Sequence, residues 1–227
     1  MKKFVLFALC SVIALMSGGQ AAEEPNDIVG MAITRGEERV YAWYRDGTVS
    51  SGTNYNLAKF RKKYRYVMPL GETPDSIVGM AIAKNTGNVF AWFRGGTVSS
   101  GTSERLDAYR KKYPYKLPQG ITPDDIVGMG IAGDTGHVFA WYKDGTVSSG
   151  TSDNLDKHRK RYPYSLPGGI TPMDIVGMAI SYHPRRPGIA LGIPSRVYAW
   201  YRNGTVSAGT SDDLDKSEEM HPFILPE

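Results

Sequence analysis

One phrase occurs four times in this 227-residue chain and limits what the chain can fold into. Its clearest copy, Val138 to Gly150, reads VFAWYKDGTVSSG, and the other copies start at Val40, Val89 and Val197. A second phrase, Ile-Val-Gly-Met-(Ala/Gly)-Ile, precedes each copy. Its occurrences are 49 residues apart and start at Ile28, Ile77, Ile126 and Ile175. Repetition at such a period indicates an array of equivalent structural units.

Each unit is predicted to contain short antiparallel strands. Ile126 to Ile131 is a continuous apolar run, as in a strand buried on both faces. Val138 to Lys143 carries bulk at both alternating positions, so this second strand is also predicted to be covered on both sides. The dipeptide Asp144-Gly145 predicts a two-residue type I′ hairpin into a third strand, Thr146 to Ser149. Its counterparts are Asp46-Gly47, Gly95-Gly96 and Asn203-Gly204.

The remainder of the unit predicts a small helical elbow. Ser152 is a candidate N-cap, acidic residues follow it, a basic run closes the segment and Pro163 ends it. An irregular outer crossing is the alternative, because Leu155 and Tyr162 are the segment's large apolar side chains. A short fourth strand over 164–167 would end the unit.

Units that are apolar on both faces must be covered by copies of themselves, and radial packing of such units is a β-propeller. The sequence therefore predicts an all-β fold, a four-bladed β-propeller built from four 49-residue repeats with short helical elbows. The repeats span about 26–74, 75–123, 124–172 and 173–227. An open ring, or one completed by a second copy, is the alternative, because no strand is visibly shared between the termini.

The first 22 residues have the pattern of a secretory signal peptide. Basic residues precede an apolar run from Phe4 to Met16, and small residues follow at 17–22. This predicts a secreted or periplasmic protein whose mature part, 23–227, is a single propeller domain. The chain's one cysteine, Cys10, lies in the signal, so we expect neither a disulfide nor a zinc–thiolate site.

Repeat 4 differs from the others in length. The tryptophans are separated by 49, 49 and then 59 residues, so ten extra residues lie between its first two strands, within 181–196. This insertion is the one place where the units differ in length.

Composition argues against several functions. The formal charge is +4, and +2 without Lys2 and Lys3, which is too weak a bias to indicate nucleic-acid binding. The sequence has no second long apolar run, so we expect no stable insertion into a membrane. The four histidines occupy unrelated positions in their units, so no cofactor or metal is expected. Four near-equal units favour multivalent binding over one active site, so we expect a protein that is not an enzyme.

The candidate ligand-binding residues are aromatic, because aromatic faces stack on the apolar faces of sugars. They are Trp43, Trp92, Trp141 and Trp200, together with their neighbours Tyr44, Tyr142 and Tyr201. The alternative is that these side chains form the core between blades, where aromatic residues bury large areas. Basic runs at 61–63, 110–112 and 159–161, each followed by a tyrosine, indicate either an anion-binding rim or solvated helix ends.

The four copies of (Tyr/Phe)-Ala-Trp-(Tyr/Phe)-x-x-Gly-Thr-Val-Ser, each preceded by Ile-Val-Gly-Met, resemble the repeats of bacterial β-propeller lectins of the Photorhabdus-lectin type. The resemblance covers about residues 26–227 and implies a propeller with carbohydrate pockets between blades. That family has seven blades, however, whereas this chain has four units. In unit count it is closer to hemopexin-like propellers, but it lacks their closing cysteines.

From these patterns we expect a carbohydrate-binding, lectin-like propeller whose partner is a glycan or glycoconjugate. The alternative is a protein-interaction or structural propeller of the cell envelope, or the partner of a toxin, with the repeat-4 insertion as its specific surface. The sequence leaves a homo-oligomer open.

Overall fold

The computed structural model describes residues 24–34, 39–181 and 196–226. The predicted signal peptide and residues 182–195 of the repeat-4 insertion lie outside these residues.

Each repeat forms one four-stranded antiparallel sheet in which strands that follow one another in the chain are neighbours. Blade 1 consists of β1 (Ile28–Ile33), β2 (Val40–Tyr44), β3 (Thr48–Gly52) and β4 (Arg61–Arg65). Blade 2 consists of β5 (Ile77–Ile82), β6 (Val89–Phe93), β7 (Thr97–Gly101) and β8 (Arg110–Pro114). Blade 3 consists of β9 (Ile126–Ile131), β10 (Val138–Tyr142), β11 (Thr146–Thr151) and β12 (Asn154–Pro163). Blade 4 consists of β13 (Ile175–Ile180), β14 (Val197–Tyr201), β15 (Thr205–Gly209) and β16 (Glu218–Pro222).

The innermost strands β1, β5, β9 and β13 surround a central axis. Each packs against the innermost strands of its two neighbours, and β13 packs against β1. The predicted all-β, four-bladed propeller is therefore confirmed, and the ring closes within one chain.

A glycine–methionine contact joins each innermost strand to the next. A Cβ atom at Gly30 would lie 2.5 Å from Cγ of Met80, so the methionine occupies the space that a side chain would need. The same relation joins the last blade to the first, where a Cβ at Gly177 would lie 2.5 Å from Cγ of Met31. The repeated Val-Gly-Met phrase thus encodes the contact between inner strands.

The hydrophobic core lies between blades rather than within them. The cluster between blades 1 and 2 combines Trp43 and Val49 with Met80, Phe93 and Leu106. Equivalent clusters fill the other three boundaries, including the boundary between blades 4 and 1. Covering both faces of every sheet in this way satisfies the need for burial that the sequence predicted.

Main-chain hydrogen bonds also close the ring. The Leu57 N–H donates to the carbonyl of Ile224 at 2.9 Å, and the Ile224 N–H donates to the carbonyl of Tyr55 at 2.8 Å. The corresponding pairing between blades 1 and 2 joins Val67 to Glu104 and Leu106. The end of the chain therefore takes the place that a covalent linker takes at the other boundaries.

The predicted helical elbows are wrong in position. The basic runs form the outer strands, and Ser51 pairs with Arg61 across β3 and β4. The segment with the basic run forms a strand because the main-chain groups of the third strand need hydrogen-bond partners. It has too few apolar side chains for a helix to bury one face against the blade. The helical turns are short 3-10 turns that precede each innermost strand, each beginning with proline: Pro25–Asp27, Pro74–Ser76, Pro123–Asp125 and Pro172–Asp174.

Two further local predictions need correction. Residues 164–167 form no strand of their own; Ser165 makes a single bridge to Asp213 in the next blade. The hairpins are three-residue loops rather than type I′ turns, because the Gly47 N–H donates to the carbonyl of Tyr44 at 3.1 Å. Gly96 has a positive φ of 75° whereas Gly95 does not, which fits a type I turn followed by a left-handed glycine.

Candidate functional site: a cleft between blades

The four tryptophans are fully buried between blades. Each indole N–H donates to a main-chain carbonyl of the following blade. The pairs are Trp43 with Ser103 (3.1 Å), Trp92 with Ser152 (2.9 Å), Trp141 with Ser211 (2.9 Å) and Trp200 with Asn54 (3.0 Å). With no indole face open to solvent, stacking of a sugar on these side chains is not supported, and the alternative, core between blades, describes their geometry.

The predicted tyrosines are buried as well, and their hydroxyls belong to internal hydrogen-bond chains. The Tyr142 hydroxyl lies 2.8 Å from Oγ of Ser148, which in turn donates to the carbonyl of Leu155 at 2.8 Å. Tyr44 and Tyr201 form the same chain. Burial raises the pKa of Tyr142, and it raises the pKa of Tyr201 to about 12. These three hydroxyls are therefore engaged within their own blades.

A cleft of about 280 Å³ opens between blades 2 and 3, next to the buried Trp92. It lies between the turn after β5, the turn after β9 and the end of β11. Its lining residues include Phe90, Lys84, Asn85, Gly133 and Ser152. An aromatic wall with a few convergent polar groups is typical of small-ligand sites.

Phe90 is the aromatic residue that the cleft exposes. Its ring stacks on Trp92 with centroids 5.9 Å apart and planes at 29°, so it has a rigid support. The sequence interpretation passed over this position. The available signal was strand alternation, since residues two apart lie on the same sheet face, which places Phe90 beside Trp92.

The position of Phe90 is repeated around the ring. Tyr41 and Phe139 stack on their tryptophans with centroids 5.8 and 6.0 Å apart, and both are partly exposed. Tyr198 lies beside Trp200 with centroids 5.9 Å apart and planes tilted by 31°, but it is buried, with 5% of its surface exposed. The exposed aromatic position is therefore a property of blades 1 to 3.

Ser152 holds the wall of the cleft in place between two blades. Its carbonyl accepts the Trp92 N–H, and its Oγ lies 3.0 Å from the Tyr113 hydroxyl. Arg110 stacks over the Tyr113 ring, with Cζ 3.6 Å from the ring centroid. Equivalent groups lie at two other boundaries. They are Ser103, Tyr64 and Arg61 between blades 1 and 2, and Ser211, Tyr162 and Arg159 between blades 3 and 4.

The boundary between blades 4 and 1 has different chemistry. Glu218 occupies the outer-strand position that Arg61 and Arg110 occupy in their blades. The Tyr55 hydroxyl donates to the Glu218 carboxylate, and the Tyr55 ring meets His221 edge-on at 6.2 Å. Partial burial and the charge of Glu218 raise the pKa of Tyr55 to about 12. The closing boundary thus exchanges a base for an acid.

The other cavities offer less to a ligand. The cavity on the axis is about 20 Å³ and is lined by the valines, glycines and methionines of the inner strands, so it has room for about one water. A cleft of about 500 Å³ on the opposite face contains Arg45, Asp75 and Arg94. There Arg45 pairs with Asp75, and Arg94 pairs with Asp124, so its charged groups already have partners.

Within the described residues, no group of three or more histidine, cysteine and acidic side chains could hold a metal ion. The same residues include no helix long and apolar enough to cross a membrane. No protein-family model matches the chain, and no curated protein matches it. The structure shows a four-bladed propeller, and these two comparisons support no specific lectin type.

Proposed function

We propose that this propeller binds carbohydrate in clefts between its blades. The fold itself is consistent with a binding or interaction role, as it carries equivalent surfaces around one rigid ring. The observation that supports a sugar is Phe90, a partly exposed aromatic ring fixed by its stack on Trp92 at the wall of the cleft. Such a ring can cover the apolar face of a pyranose while neighbouring polar groups bond its hydroxyls.

The polar groups of the cleft support the same ligand class. Asn85 has both a donor and an acceptor, and the Ser152 hydroxyl has one donor and two acceptor lone pairs. Sugar hydroxyls are also both donors and acceptors, so Asn85 and Ser152 can each donate a hydrogen bond to one sugar hydroxyl and accept one from another. Tyr41 and Phe139 repeat the aromatic position, and repeated weak sites would give a multivalent ligand higher avidity than any single site.

Isothermal titration with a panel of neutral and acidic monosaccharides tests the proposal, with the Phe90→Ala, Tyr41→Ala and Phe139→Ala variants and their triple combination. We expect each single variant to remove one site from the stoichiometry and the triple variant to abolish measurable binding. Tyr109→Ala is the matched control, because Tyr109 is an aromatic side chain of blade 2, 62% exposed, and not part of the cleft. A flat titration across the panel would contradict the proposal.

The compartment is proposed from the sequence. Residues 1–22 have the pattern of a secretory signal, so we propose that the chain acts as a secreted or periplasmic binder rather than as an enzyme. The intact mass of the protein recovered from the periplasm or the medium tests this. Protein retained in the cytoplasm at the full-length mass would contradict it.

A further inference from the structure

Three boundaries of the ring share an arginine stacked on a tyrosine. Cζ of Arg61, Arg110 and Arg159 lies 3.4, 3.6 and 3.5 Å from the ring centroids of Tyr64, Tyr113 and Tyr162. Each of these tyrosines bonds, through its hydroxyl, the serine whose carbonyl accepts the tryptophan N–H. At blades 2 and 3, this serine is Ser152, which lines the cleft.

Stacking determines which part of a guanidinium remains available. One face is covered by the phenol ring, and the planar edge with its N–H donors is left for a ligand. That edge matches a carboxylate, which can accept two parallel hydrogen bonds. A stacked arginine is therefore better prepared for a planar anion than a lysine on a flexible chain.

The three arginines differ in whether they are already engaged. Arg61 donates to the Glu104 carboxylate at 2.7 Å. Arg110 and Arg159 have no ion pair among the residues that the structure describes, and both are exposed. The Asp153 carboxylate accepts a hydrogen bond from the Thr151 hydroxyl at 2.7 Å rather than pairing with Arg110. This hydrogen bond and the nearby charge of Arg110 lower the pKa of Asp153.

Protection of the outer strands explains only part of this pattern. Basic side chains on an edge strand prevent pairing with other chains, and Lys62 and Lys111 fit that role. Edge protection requires charge alone. It does not require the arginine to stack on the one tyrosine whose hydroxyl is fixed to the wall of the cleft.

Arg110 lies beside the cleft, in the same cross-strand row as Phe90, because Ser100 pairs with both residues. We propose that an acidic saccharide binds at the boundary of blades 2 and 3, with its sugar ring on Phe90 in the cleft and its carboxylate held by Arg110. Arg159 provides the same group at the next boundary. This inference rests on the proposed carbohydrate binding and adds the ligand's charge. The class of ligand is a uronic acid, in which a pyranose ring carries one carboxylate.

Matched sugar pairs test the charge separately from the sugar. The probes are glucose and glucuronic acid, galactose and galacturonic acid, and mannose and mannuronic acid, titrated at low and high salt. For at least one pair we expect the acid to bind about tenfold or more tightly than the neutral sugar, with the difference shrinking at high salt. The variant Arg110→Gln/Arg159→Gln should bind both members of that pair equally.

The control is Lys111→Gln/Lys157→Gln, which removes the same charge from the same two outer strands without touching a stacked arginine. It should retain the preference for the acid. A preference lost equally in both double variants would overturn the role of the stack. Neutral and acidic sugars bound equally by the unmodified protein, with both lost in the triple aromatic variant, would overturn this inference and leave the proposed function intact. No binding of any probe would overturn both.

Discussion

The indole N–H of Trp200 donates to the carbonyl oxygen of Asn54 at 3.0 Å, across 146 positions of sequence. It is the same bond that Trp92 makes to Ser152, but it joins the last blade to the first. The ring is thus closed by the contact that builds it, repeated once more without a covalent link.

Replacement of Trp200 by phenylalanine should destabilise the protein by about 2 kcal/mol or more, because a buried carbonyl loses its donor and a cavity forms. Urea unfolding monitored by far-UV circular dichroism measures the change. Trp92→Phe is the control for an internal boundary and should cost a similar amount. A Trp200→Phe variant as stable as the parent would show that this boundary is not formed in solution.

The inner ring predicts a contrast between two glycines. Gly177→Ala would push a methyl group against the flexible side chain of Met31 and should cost about 1–3 kcal/mol. Gly150→Ala would push it against the main-chain oxygen of Asn154, which cannot move aside without breaking the strand. We therefore expect the second variant to be less stable in thermal unfolding. The opposite order would contradict the close approach of β11 and β12.

Blade 2 contains a local defect that a single substitution should repair. Thr48, Thr146 and Thr205 donate to the side chain two residues earlier, which is Asp46, Asp144 or Asn203. In blade 2 the residue two before Thr97 is Gly95, which has no side-chain acceptor, and the buried hydroxyl of Thr97 has no partner. Gly95→Asp should stabilise the protein by about 1 kcal/mol or more, because it supplies that acceptor.

The control for this repair is Gly95→Ala, which restricts the unfolded chain without providing an acceptor and should gain about 0.4–1 kcal/mol. The space is available, since a Cβ at Gly95 would meet nothing within 4 Å. Chemical denaturation of both variants tests the difference. Equal gains would mean that the unpaired Thr97 hydroxyl costs nothing.

Alkaline pH should weaken the fold through the buried tyrosines. Burial raises the pKa of Tyr201 to about 12, above its ordinary value of 10.0, so the folded protein disfavours the ionised phenol. The contribution is complete below pH 10 and is lost as the pH rises through about 12. Urea midpoints should therefore change little between pH 9 and pH 10 and fall clearly between pH 10 and pH 11.

Tyr142→Phe should make this alkaline decline shallower, because it removes one group whose pKa burial raises. Its cost at neutral pH should be about 1 kcal/mol, as Phe93 already occupies this position in blade 2 while Ser99 still donates to the carbonyl of Leu106. An unchanged slope between pH 9 and 11 would contradict the burial of this hydroxyl.

Sequence reasoning recovered the blade because the blade is repeated. Four copies of one pattern showed which residues belong to strands, and bulk on both faces of Val138–Tyr142 required neighbouring copies to cover it. The outer strand was missed for a physical reason. The segment from Asn154 to Pro163 has few apolar side chains, so its structure depends on the open edge of β11, which lies outside its own sequence.

The repeated phrase by itself determined the number of repeats and the positions of the inner strands. Only the tertiary structure decided which aromatic residue can meet a ligand. Trp92 and Phe90 lie on one face of one strand, yet the next blade covers the first completely and leaves the second partly open. The difference arises because exposure at a blade boundary depends on how far the neighbouring blade extends along the strand. Trp92 lies within the covered part, and Phe90, two residues away on the same face, lies at its edge.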